Sequence, residues 1–141
     1  MPSKETFCSQ IKQSWHAIAR MYNNEGAKHD LTSTIGYILL KIDRHEGIPS
    51  TQIGPLIGME STSLVRTLDQ MEKKGLIARK KDKNDARRVM IVLTKKGKQK
   101  RDLSRKAVKA FNNEIEKKLP KAKLNIFKEV LGQINAIAAN K

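Results

Sequence analysis

Eight basic side chains crowd into one short stretch: Arg79, Lys80, Lys81, Lys83, Arg87, Arg88, Lys95 and Lys96, opposed only by Asp82 and Asp85. Like charges packed this closely repel one another unless a polyanion is near. Arginine is also the side chain that best exploits the negative potential of a narrow minor groove. Just upstream stand Ser61, Thr62, Ser63, Arg66, Thr67 and Gln70. Their hydroxyls and amides can hydrogen-bond to bases or phosphates, and Arg66 can reach a guanine or a phosphate. The bland alternative is a solvated helix face. Asp85 and Arg87 lie two apart on one side of an extended segment, so the carboxylate can orient the guanidinium for groove entry. The competing reading is a surface ion pair, worth little.

These side chains need a helix beside a hairpin to present them. Leu64, Leu68 and Met71 recur at helical spacing from about Ser61, with Lys73 and Lys74 at the negative helix end and Gly75 at the C′ position. Two β-like runs, Leu76 to Lys81 and Val89 to Leu93, flank the polar turn 82–87 and predict a hairpin. Before them, Thr32 caps a helix with Ile35, Ile38, Leu39 and Ile42 inward and Gly47 as its C′ residue. Ser50 is the expected N-cap of a short third helix, with Ile53, Leu56 and Ile57 inward and an awkward Pro55. Three short helices and a hairpin make a winged helix-turn-helix, whose last helix offers its N-terminal half to base edges.

The flanks are helical. Cys8, Ile11, Trp15, Ile18 and Tyr22 alternate three and four apart, a helix-packing seam, over a helix from about Glu5 to Lys28. Thr94 can cap a long helix to about Lys118 with Leu103, Ala107, Ala110, Phe111, Ile115 and Leu119 on one side. Pro120 interrupts, and Leu124, Phe127, Leu131, Ile134, Ile137 and Ala138 line a last helix. A lobe of about 60 residues cannot cover three such stripes, so they are expected to interleave with a second copy. The fold class is mainly α with a small β-wing: one domain over 1–141, with 31–94 the winged lobe and 1–30 and 95–141 the dimerisation helices.

Composition sets the limits. The 141 residues carry 29 Lys and Arg against 14 Asp and Glu, a formal charge of +15 that favours nucleic acid or an anionic membrane surface. No run of about 18 apolar residues exists, and the first ten residues lack the apolar core of a signal peptide. One cysteine excludes an internal disulfide framework. The reading is cytoplasmic, with no membrane partner. Sparse aromatics argue against single-strand stacking. His16, His29 and His45 fit no metal template. With no phosphate-cradling glycine loop, nucleophile elbow or arguable triad, an enzyme is not expected, nor is a cofactor.

The sequence resembles the MarR family of bacterial transcription regulators at Leu64–Leu68, at Glu72–Ile77, from Asp82 through Asp85-Ala86-Arg87, and at Val92–Gly97. It departs at Val65, where the family often has Thr. The resemblance implies a homodimer joined by its terminal helices on a pseudo-palindromic operator, with fourth helices in successive major grooves and wings in flanking minor grooves. It implies Arg87 as the wing-tip arginine with Asp85 its orienting partner, and a repressor released by a small phenolic or other ligand, or by oxidation. The effector cavity would be lined by parts of the first, second and fifth helices. One branch of the family senses hydroperoxides through an N-terminal-helix cysteine with tyrosines nearby, which puts Cys8 and Tyr22 forward. The other reading of Cys8 is a small apolar seam residue. The alternative function is an architectural, nonspecific nucleic-acid-binding protein without effector.

Overall fold

The computed structural model describes residues 5–141. In chain order the elements are α1 (Phe7–Ala27), α2 (Ser33–Lys41), β1 (Ile48–Pro49), α3 (Ser50–Ile57), α4 (Ser61–Lys73), β2 (Ile77–Lys81), β3 (Val89–Leu93), α5 (Lys95–Lys118) and α6 (Lys121–Ala139). Two compact units divide the chain: the first ends at Arg105 inside α5, and the second is Lys106–Lys141.

In the first unit, caps set the helix boundaries. The Thr6 hydroxyl accepts from Ser9 N–H at 3.1 Å, and Thr32 accepts from Ile35 N–H at 3.1 Å. The Thr94 hydroxyl accepts from Gly97 N–H at 3.0 Å and donates to the Gly75 carbonyl at 2.6 Å, so one side chain opens α5 and ties it to the end of α4. Helix α4 closes as foreseen: Gly75 takes φ +75, with Gly75 N–H on Glu72 O and Leu76 N–H on Met71 O. This paired pattern is the Schellman motif.

Two expected boundaries are corrected. Helix α2 stops at Lys41 with Ile42 as its C-cap, so Gly47 is not its C′ residue. Gly47 instead closes the following turn at φ +77, donating to the Asp43 carbonyl, because the chain must reverse there to start β1. Ser50 is the first residue of α3 and makes no cap bond; Pro49 holds the N-cap position, since its fixed φ suits a helix entry. Helix α3 is short, eight residues, and contains Pro55.

The sheet has three strands in the order β1-β3-β2, all antiparallel. The wing register runs from Ile77 opposite Leu93 to Lys81 opposite Val89. Strand β1 pairs Ile48 with Ile91 and Pro49 with Met90, and was not foreseen.

The core lies wholly within 31–93. Ile35, Ile38, Leu39 and Ile42 of the α2 region meet Ile53, Leu64, Leu68 and Met71, with Leu76, Ile77, Ile91 and Leu93 closing the sheet side. Leu56, expected inward, is half-exposed, because the stripe of α3 leans through Ile53 to Ile57 instead. No residue of α1 or α6 is buried, and of α5 only Gly97 is. Phe7, Ile126, Phe127 and Ile137 are 76%, 59%, 57% and 63% exposed.

Candidate nucleic-acid interface

Helix α4 is held down by Leu64, Leu68 and Met71, all buried. At 100° per residue the side opposite them carries Thr62, Arg66, Asp69 and Lys73. Ser61, Thr62, Ser63, Arg66 and Gln70 are exposed. Thr67 is half-buried on the flank, and its hydroxyl donates to the Ser63 carbonyl at 2.9 Å. The donor of that hydroxyl is thereby engaged within the helix. Val65 is exposed where a polar residue was looked for. A valine there can contact a thymine methyl. Thr51 and Gln52 are exposed in the first turn of α3.

The wing tip is a network built on two aspartates. Arg88 N–H donates to the Asp85 carbonyl at 3.0 Å, closing a β-turn, and Asp82 N–H donates to the Arg88 carbonyl at 2.9 Å. The Asp85 carboxylate accepts from Arg87 N–H at 3.0 Å and from Arg87 Nε at 3.3 Å. Asp85 and Arg87 thus meet across a turn, not along an extended segment, because the backbone bond from Arg88 folds the chain back. The Arg87 side chain remains 93% exposed. Arg88 is drawn aside by Asp82 at 3.0 Å.

Uniform repulsion across the basic cluster is also corrected. Arg79 reaches from β2 to two carboxylates of α4, Asp69 at 3.0 Å and Glu72 at 3.2 Å. Lys96 donates to the Lys74 carbonyl at 3.0 Å. Lys80, Lys81, Lys83 and Lys95 form no ion pair among the described residues, so they are the cations left to meet an anion. Arg66 and Arg87 share the first unit with them, and all are exposed.

The base of α5 is lashed to the lobe. Lys100 donates to the His29 carbonyl at 2.6 Å, Arg101 to the Ile42 carbonyl at 3.1 Å, and Arg44 pairs with Asp102 at 3.3 Å. Trp15 meets Tyr37 edge-on with centroids 6.2 Å apart, and Lys41 lies over the Tyr37 ring at 5.2 Å. Burial pushes the Tyr22 hydroxyl above its ordinary pKa. An open depression on α1 is lined by Gln13, His16, Ala17, Ala19, Arg20 and Asn23. Cys8 is exposed, so the buried seam environment is not formed within one chain. Tyr22 lies fourteen residues further along α1, about 21 Å at 1.5 Å per residue, out of reach of the Cys8 thiol. No cluster of three or more potential metal ligands occurs among the described residues.

A family model, the MarR family, matches residues 31–89, the lobe just described. SarZ, an HTH-type transcriptional regulator of Staphylococcus aureus, is 32% identical over 106 residues, covering 74% of this chain and 72% of SarZ. The chain belongs to the MarR family. Another relative, the HTH-type transcriptional regulator TtmR of Methylorubrum extorquens, is 33% identical over 90 residues. That match covers 64% of this chain but only 46% of TtmR, so the chain spans about half of that relative's length. The S. aureus MepR–DNA complex superposes with a TM-score of 0.84 at 18% identity, covering 94% of this chain and 98% of MepR. This likeness establishes the fold: a MarR-type winged helix with N- and C-terminal helices.

Proposed function

We propose that this MarR-family chain acts as a homodimeric, sequence-specific duplex-DNA repressor, released by a small ligand or an oxidant. The observation that carries the reading is the wing tip. Asp85 holds Arg87 by both its backbone and its guanidinium while leaving the side chain 93% exposed. Beside it, α4 offers Ser61, Thr62, Ser63, Arg66 and Gln70 outward from a buried base. In this reading α4 enters the major groove, Arg87 the flanking minor groove, and Thr67, Arg88 and Asp85 support them. The lobe of 31–94 reads DNA. Residues 1–30 and 95–141 pair with a second copy, which covers their exposed apolar side chains; residues 1–4 of that stretch lie outside the described ones.

Arg87→Ala should weaken operator binding about ten- to a hundredfold, and Lys121→Ala by less than about twofold. Fluorescence anisotropy at fixed salt measures both; equal losses would transfer affinity from the wing to bulk charge and favour a nonspecific architectural protein. A specific site should be bound at least about a thousandfold tighter than random duplex. In the oxidant route Cys8 is the sensing thiol. Cys8→Ser should bind operator normally and ignore peroxide, and a wild type already indifferent to peroxide would leave small-ligand release as the mechanism.

A further inference from the structure

Three charged side chains join the wing to α4. Asp69 and Glu72 stand three apart, hence on one face of the helix. Arg79 projects from β2 and divides its fork between them, Nη2 to Asp69 at 3.0 Å and Nη1 to Glu72 at 3.2 Å. The Arg79 side chain is only 34% exposed, in contrast to Arg87 at the far end of the same hairpin. We propose that Arg79 is a positioning residue for DNA binding: it fixes the wing relative to α4 and does not itself hold a phosphate. The proposal rests on the DNA-binding reading.

The physical case has two parts. A planar guanidinium with both terminal nitrogens engaged by separate carboxylates fixes direction as well as distance, which a lysine ammonium cannot reproduce. A helix and a two-stranded ribbon must also enter adjacent grooves together. Their relative angle then decides whether Arg66 and Arg87 can engage at once, and the fork is the ionic link across that angle. The two carboxylates sit on a helix meant to approach a polyanion, where unpaired negative charge is unfavourable. Arg79 neutralises them there.

Positioning and phosphate contact predict opposite signs. If Arg79 bound phosphate, freeing it and deleting two negative charges with Asp69→Asn plus Glu72→Gln would tighten binding to every duplex. Arg79→Met would then lower the salt slope of binding by about 0.9. As a positioning residue it predicts the reverse. The double variant and Arg79→Met should each lose about tenfold in affinity for the selected operator, with the salt slope unchanged. Scrambled duplex should be bound as tightly as before or tighter by the double variant, and more weakly by Arg79→Met, which leaves two carboxylates unpaired. Arg79→Lys should fall between.

The experiment uses the full chain, titrated with operator and scrambled duplex across salt. Amide hydrogen exchange is followed in the same variants without DNA. Exchange at Ile77–Lys81 should accelerate in the double variant while circular dichroism keeps the helical content. Unchanged exchange, tighter operator binding by the double variant, or a reduced slope in Arg79→Met would each overturn the proposal. Failure to select any operator would count against the regulator reading alone, because the exchange result stands without DNA.

Discussion

The lobe and the terminal helices use apolar residues in opposite ways. Between Leu31 and Leu93 the large aliphatic side chains converge on one core, and seven of the residues there are essentially inaccessible: Ile38, Leu39, Ile42, Ile53, Met71, Leu76 and Ile91. Helices α1 and α6 carry equally regular stripes, yet no residue of either is fully buried. An amphipathic pattern therefore states that a face must be covered, and not by what. The lobe covers its own faces; the terminal helices leave theirs largely exposed, and the proposed homodimer would cover them with a second copy.

The largest test of this contrast is on α6. Ile126→Asp combined with Phe127→Asp should weaken self-association by on the order of 4 kcal/mol or more, since two carboxylates would be desolvated at the seam. Sedimentation velocity should find a monomer, and the concentration dependence of Tm should vanish. A wild type that is already monomeric would erase the distinction between the regions. Next, Leu68→Ala in the lobe should cost about 2–5 kcal/mol of stability, read as a lower urea midpoint by circular dichroism. A loss no larger than that of an exposed α6 residue, such as Ile137→Ala in the monomeric background, would break the comparison from the other side.

The smallest effect sharpens it at the edge of the lobe. The Asp43 carboxylate accepts N–H groups of Glu46 and His45 at 2.7 and 2.9 Å. These bonds, that from Glu46 first, hold its pKa below the ordinary carboxylate value. A depressed folded pKa means the contribution is present above the unfolded pKa of about 3.9 and is lost as pH falls through the folded value. The urea midpoints of wild type and Asp43→Ala should differ constantly above about pH 5 and converge below about pH 4. A gap that persists in acid would assign the turn's stability to backbone geometry alone.

What the sequence disclosed was local. Thr32, Thr94 and Gly75 could be assigned because a cap or a Schellman close involves residues within five of one another. The hairpin and the α4 stripe were legible for the same reason. Gly47 misled because a C′ position and a turn reversal both call for positive φ, and the residue type does not distinguish them. Strand β1 has two residues and leaves no alternation to read. The partners of Arg79 lie seven and ten residues away on another element, so a cation bound to two carboxylates looked like one more free charge. At the candidate site, Arg66 and Arg87 could be picked by type, but the satisfied hydroxyl of Thr67 could not.

Selection of bound fragments from a random duplex library by the wild-type chain tests the central claim most directly. The account predicts a shared inverted repeat whose half-sites are centred about one helical turn, roughly 10 base pairs, apart or a multiple of it, bound by two protomers. Recovery of sequences with no common repeat, or of a single half-site bound by one protomer, would contradict it.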